Sequence, residues 1–170
     1  MKKIIFTIGI LLLPMLTFSQ VSKYKAVFTI NFIRYIGWSE AAKQGDFVIG
    51  VIRDKEMVDY LTGMSKGKKF GYQNIVIKEF KSPSDVSYCQ VLFIPETINI
   101  SKNAATIIDK LGGKNSLIIT EKNGATKYGS MINFVIRDDK LKFEIHKDNA
   151  SRFGLQISSK LENMAAAIKL

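Results

Sequence analysis

The sequence is poor in the side chains that carry chemistry, with one cysteine, one histidine, one tryptophan and three prolines. A zinc site built from cysteine and histidine needs three or four such ligands, so this chain cannot supply one. A lone cysteine closes no internal disulfide, and stability must come from packing. Cys89 stands beside the apolar run Val91-Leu92-Phe93-Ile94, where nothing cationic lowers a thiol pKa, which argues against a catalytic pair with His146. No serine sits in a Gly-x-Ser-x-Gly turn, and Ser158-Ser159-Lys160 is one residue short of a Ser-x-x-Lys arrangement. Gly112-Gly113-Lys114-Asn115 lacks the upstream glycine and the hydroxyl after lysine that a phosphate loop uses. Gly124 to Gly129 precedes a strand, whereas a dinucleotide loop follows a strand and opens a helix. The only adjacent acids, Asp138-Asp139, read as a turn. These absences point away from an enzyme, a cofactor or a metal, and towards surface recognition.

What the chain does have begins with an export signal. Lys2 and Lys3 precede an apolar stretch from Ile4 to Leu16, and Thr17-Phe18-Ser19 puts small residues where a signal peptidase would cut before Gln20. The stretch is shorter than the ~20 residues that span a bilayer; a retained anchor is the alternative. Residues 1–19 are therefore expected to be a signal peptide and 20–170 one domain, located in the periplasm. Loss of Lys2 and Lys3 lowers the formal net charge from +10 to +8. The lysines, Lys66, Lys68, Lys69, Lys81, Lys102, Lys114, Lys122 and Lys127 among them, are spread through expected loops. They form either a solvated surface or an attraction to an acidic partner or anionic membrane. Nucleic acid is a poor partner for a secreted chain without a basic-aromatic motif.

Periodicity predicts a helix over 21–38, a fully buried strand at 47–52, and a helix capped by Asp54 with Met57, Val58, Leu61 and Met64 as its stripe. A loop at 66–72, strands at 74–80 and 90–94, a helix over 97–111 and a strand at 116–120 follow. This alternation gives an α/β fold of three layers, a mainly parallel central sheet flanked by helices. Near the C-terminal part an antiparallel hairpin across Asp138-Asp139 pairs Ile136 with Leu141, Phe134 with Phe143, and Ile132 with Ile145 on one face. Val135 then opposes Lys142, Asn133 opposes Glu144, and Met131 opposes His146 on the other. Asp148 or Asn149 is expected to cap a short helix ending at Gly154, Leu155 to Ile157 to add a strand, and Ser159-x-x-Glu162 to open a C-terminal helix. The polar hairpin face, with Asn133, Glu144 and His146, is either a solvated sheet face or a docking surface or small-ligand rim. On the second reading, reversing the charge at Glu144 weakens binding and leaves the fold intact.

Several stretches, taken in order, resemble the periplasmic YfiR/HmsC-like family. Tyr24-Lys25-Ala26-Val27-Phe28 through Asn31-Phe32, Tyr35 and Trp38 looks like its opening helix, and Cys89 to Ile94 like its cysteine-led strand. Gly129 to Phe134, Phe143-Glu144-Ile145, and Ala150, Gly154-Leu155 and Ile157 to Leu161 resemble its later signatures. The resemblance implies a dimeric inhibitor of the sensor domain of an inner-membrane diguanylate cyclase, controlling cyclic-di-GMP and biofilm formation. Some members carry redox-sensitive disulfides, and here the chain departs, since only Cys89 is present. The alternative is a periplasmic small-ligand-binding sensor acting with a histidine kinase or another membrane receptor, its ligand in a cleft at the strand ends.

Overall fold

Why the chain takes this shape begins with its apolar runs. The computed structural model describes residues 17–169, so the expected signal segment lies outside the described residues except for its last three. The elements in chain order are α1 (Thr17–Phe32), β1 (Ile36–Gly37), β2 (Phe47–Ile52), α2 (Lys55–Ser65), β3 (Lys69–Phe70), β4 (Gln73–Phe80), β5 (Val91–Ile94), α3 (Ile100–Lys110), β6 (Leu117–Thr120), β7 (Ile132–Arg137), β8 (Lys140–His146), α4 (Lys147–Arg152), β9 (Gln156–Ile157), α5 (Ser159–Glu162) and β10 (Ala167–Lys169).

Eight strands form one sheet in the order β10-β8-β7-β6-β5-β2-β4-β3. The middle five, β4-β2-β5-β6-β7, run parallel. Their apolar residues lie on consecutive positions because a parallel sheet is covered on both faces, and β5 and β6 are buried throughout. After β2 the chain adds β4 on one side and then returns to add β5 on the other, so the strand order reverses between β2 and β5. The structure thus shows the expected mainly parallel α/β fold, with a small separate sheet of β1 and β9.

Helix α1 lays Phe28 and Phe32 against Phe134 and Phe143, with ring centroids 4.8 to 6.2 Å apart. That aromatic cluster fixes α1 over the apolar face of the β7–β8 hairpin. The hairpin has the expected register, from Ile132 opposite Ile145 to Arg137 opposite Lys140. Asp138 and Asp139 both have positive φ, 51° and 55°, the conformation of a two-residue turn whose twist matches the strands. In β2, Gly50 leaves room that a Cβ would fill, 2.5 Å from the Phe80 ring and 3.0 Å from the Cys89 sulfur.

Four local expectations are corrected. Helix α1 stops at Phe32, and a 3-10 turn leads into β1; Trp38 folds back to donate its indole N–H to the Ile33 carbonyl at 2.9 Å. The expected loop at 66–72 contains the two-residue strand β3. Helix α4 is capped by His146, not by Asp148 or Asn149: Asp148 falls within its first turn, and Asn149 is buried and donates to the carbonyls of Thr126 (2.7 Å) and Ser130 (2.8 Å). The C-terminal helix is one turn, α5, capped by Ser158. The alanine-rich segment beyond it becomes β10, since pairing with β8 overrides helix propensity.

Candidate functional site

Parallel strands bring their carboxyl ends to one edge of a sheet, so whatever follows each strand is gathered there. Within two residues of β2, β5 and β6 the chain places a carboxylate: Asp54, Glu96 and Glu121. A cleft of about 790 Å³ opens at that edge. Glu56 from the first turn of α2, Glu96, Glu121 and Asn123 line one part. The end of β7 from Phe134 to Arg137, with Leu141 and Glu144 of β8, lines another, and Val21, Ser22 and Lys25 of α1 close it. Its lining carries four carboxylates against two cations, an acidic recess in a chain of net charge +10.

Most of this charge is already engaged. Glu121 ion-pairs with Lys25 and accepts the backbone N–H of Glu96 at 3.0 Å, tying α1 to the loop after β5. Glu144 is buried between Arg137 and Lys169, the latter 2.9 Å away, which ties β8 to the end of β7 and to β10. Asp54 caps α2 by accepting the Met57 N–H at 3.0 Å. Burial holds its carboxyl above the usual aspartate range against that cap bond, and the charge of Glu121 pushes in the same direction. Among the described residues, no group of three or more His, Cys, Asp or Glu side chains could hold a metal ion.

Of the residues singled out from the sequence, the structure sets Asn133 directly across from Glu144, and only Glu144 lines the cleft. Asn133 is fully buried. Its Oδ1 accepts from the Thr120 hydroxyl at 2.7 Å, which also bonds Ser130 at 2.7 Å. The Asn133 Nδ2 has no hydrogen-bond partner among the described residues. His146 is drawn into a structural role, its Nδ1 facing the Asn149 N–H at 3.4 Å. The polar side of the hairpin at Asn133 and Glu144 is therefore interior, and charge reversal at Glu144 bears on the fold, which was expected to stay intact. Cys89 is also interior, and burial pushes its thiol up to about 12. A bridge from Cys89 to another molecule would require this part of the sheet to open.

Lys25, Glu96, Glu121 and Arg137 were not singled out from the sequence. The signal for the acids was present in Ile52-Arg53-Asp54, Ile94-Pro95-Glu96 and Thr120-Glu121, where each strand runs into a carboxylate. It acquires meaning only once the strands are known to be parallel neighbours.

The sequence profile of the YfiR/HmsC-like family matches residues 22–166. That span contains every strand of the sheet except β10, and nearly all of the cleft. No curated protein matches the chain. Among the described residues no helix is long and apolar enough to cross a membrane. The chain belongs to the YfiR/HmsC-like family, a family of periplasmic, regulatory proteins.

Proposed function

We propose that the protein binds the outward-facing sensor domain of an inner-membrane diguanylate cyclase and inhibits it, lowering cyclic-di-GMP and restraining biofilm formation. The observation that carries this reading is the family match over nearly the whole described fold. Inhibition follows if the protein binds the partner's inactive conformation more tightly than its active one, because only differential affinity shifts a conformational equilibrium. The contact lies on the rim of the cleft. There Ile136 stands 59% exposed at the end of β7 beside Arg137, an apolar side chain next to a guanidinium, and arginine is among the residues enriched at interface hot spots. Glu144 acts through Arg137, which it holds in place. Asn133 and His146 support the same hairpin from behind, through Thr120 and Asn149.

Calorimetric titration of the cyclase's periplasmic domain tests this. Ile136→Asp is expected to weaken binding about tenfold or more while leaving the folded state intact, since the side chain is already largely in water. Unchanged affinity removes the rim from the contact. Unchanged cyclic-di-GMP in a strain lacking the protein removes the function. The second reading, a small-ligand sensor for another membrane receptor, is favoured by the cleft's place at the carboxyl ends of the strands, next to the reversal of strand order. A saturating ligand would then raise the melting temperature of the isolated protein.

A further inference from the structure

We propose that the amino end of the sheet is a docking surface for the anionic headgroups of a phospholipid membrane. Lys66, Lys68 and Lys69 fall within four residues at the end of α2 and the start of β3, and all are exposed. Among the described residues none of them has a carboxylate partner, unlike Lys25 and Lys169. They border a groove of about 570 Å³ that Ile75 and Ile77 of β4 also line. At the tip of the β3–β4 hairpin Tyr72 is 100% exposed.

Two ordinary roles account for part of this pattern. Cations suit the negative end of a helix dipole, and lysine on an edge strand discourages unwanted pairing. Neither calls for a tyrosine held wholly in water, or for isoleucines lining the groove that the cations border. Nor is the tip a loose loop that exposes Tyr72 by default. Gly71 takes a φ of +58° to make the turn. The buried side-chain amide of Gln73, just after Tyr72, donates to the carbonyls of Ala42 and Gly45, each at 3.1 Å. Asp46, accepting from Asn74 at the same tip, offsets one of the three positive charges. A soluble polyanion would need only the lysines. Cations around an apolar groove, with an aromatic ring presented beside them, match an amphiphile: phosphate at the rim, tyrosine at the headgroup level. The cleft opens at the other end of the strands, about 20 Å away for six residues of strand. A docked molecule therefore turns its cleft away from the bilayer.

Vesicle co-sedimentation of the purified protein tests the surface. Binding is expected to vesicles of mixed phosphatidylcholine and phosphatidylglycerol and not to phosphatidylcholine alone. Combining Lys66→Gln, Lys68→Gln and Lys69→Gln should lower the partition coefficient about 100-fold. The same loss of charge at the carboxyl end of the strands, by Lys102→Gln, Lys122→Gln and Lys140→Gln, should retain most of the binding. Tyr72→Trp should show a blue-shifted emission on the anionic vesicles, against the steady background of the buried Trp38. Equal losses in the two triple variants would overturn the proposal in favour of diffuse net charge. Release by millimolar inorganic phosphate, beyond that caused by sodium chloride of equal ionic strength, would replace it with a free-phosphate site. A Tyr72→Trp emission that stays unshifted on anionic vesicles would overturn it as well.

Discussion

The two ends of the parallel strands use charge in opposite ways. At the carboxyl end, Glu121 and Glu144 are spent on joints, the first binding α1 to the strand loops and the second binding β8 to the end of β7 and to β10. At the amino end, Lys66, Lys68 and Lys69 make no ion pair among the described residues and border an open groove. A buried ion pair binds its own molecule, and losing one partner strands the other charge. Exposed, unpaired charge contributes little to folding and remains available to something outside. The difference separates residues whose loss unfolds the protein from residues whose loss silences a surface.

The comparison can be broken most decisively at Glu144. Glu144→Lys sets a third cation beside Arg137 and Lys169 and should cost about 3–5 kcal/mol of stability by urea denaturation. Glu144→Gln, which can still accept hydrogen bonds, should cost less. A midpoint unmoved by the reversal would mean that the joint is not one. A smaller effect, of opposite sign, is expected at Asp54. Its folded pKa lies above the unfolded value of 3.8, so the stability it contributes is complete below that value and is lost as pH rises through the folded one. Ionised Asp54 is thus a liability at neutral pH. Asp54→Asn, which preserves the cap, should raise the melting temperature at pH 7, and the gain should close as pH falls towards 3.8. A gain that persists in acid would point to the cap, not the charge. Least of all should happen at the other end: the Lys66, Lys68 and Lys69 glutamine variant should keep its stability within about 0.5 kcal/mol. A larger loss would give those lysines a structural duty and erase the contrast.

How much of this was legible beforehand differs by region for physical reasons. The β7–β8 register could be written from the sequence because a two-residue turn leaves one pairing that keeps Phe134, Phe143 and Ile145 on one face. The parallel strands were legible as apolar runs broken by helical stretches. The segment after Leu161 was not, because its local alanine signal favours a helix and only the presence of β8 makes it a strand. Of the hairpin's polar face, the pairing was legible in the sequence but the burial of Asn133 and Glu144 was not. Asn133 and Glu144 were correctly placed opposite one another, but whether such a pair faces water depends on elements hundreds of atoms away in the chain. The cleft was hidden for a related reason. Its acids lie far apart in sequence, at Glu56, Glu96, Glu121 and Glu144, and only strand order brings them to one edge.

Gly50 carries a consequence for how the sheet finds its alignment. Strands β2 and β5 are both apolar on both faces, so sliding β2 along β5 would still match oily side chain to oily side chain, and hydrophobicity alone offers no vernier there. The missing methyl at Gly50 supplies one: the Phe80 ring and the Cys89 sulfur both crowd into the space where a Cβ would stand. A slip in either direction would bring a branched side chain under that ring. A notch one atom deep thus indexes the central strands.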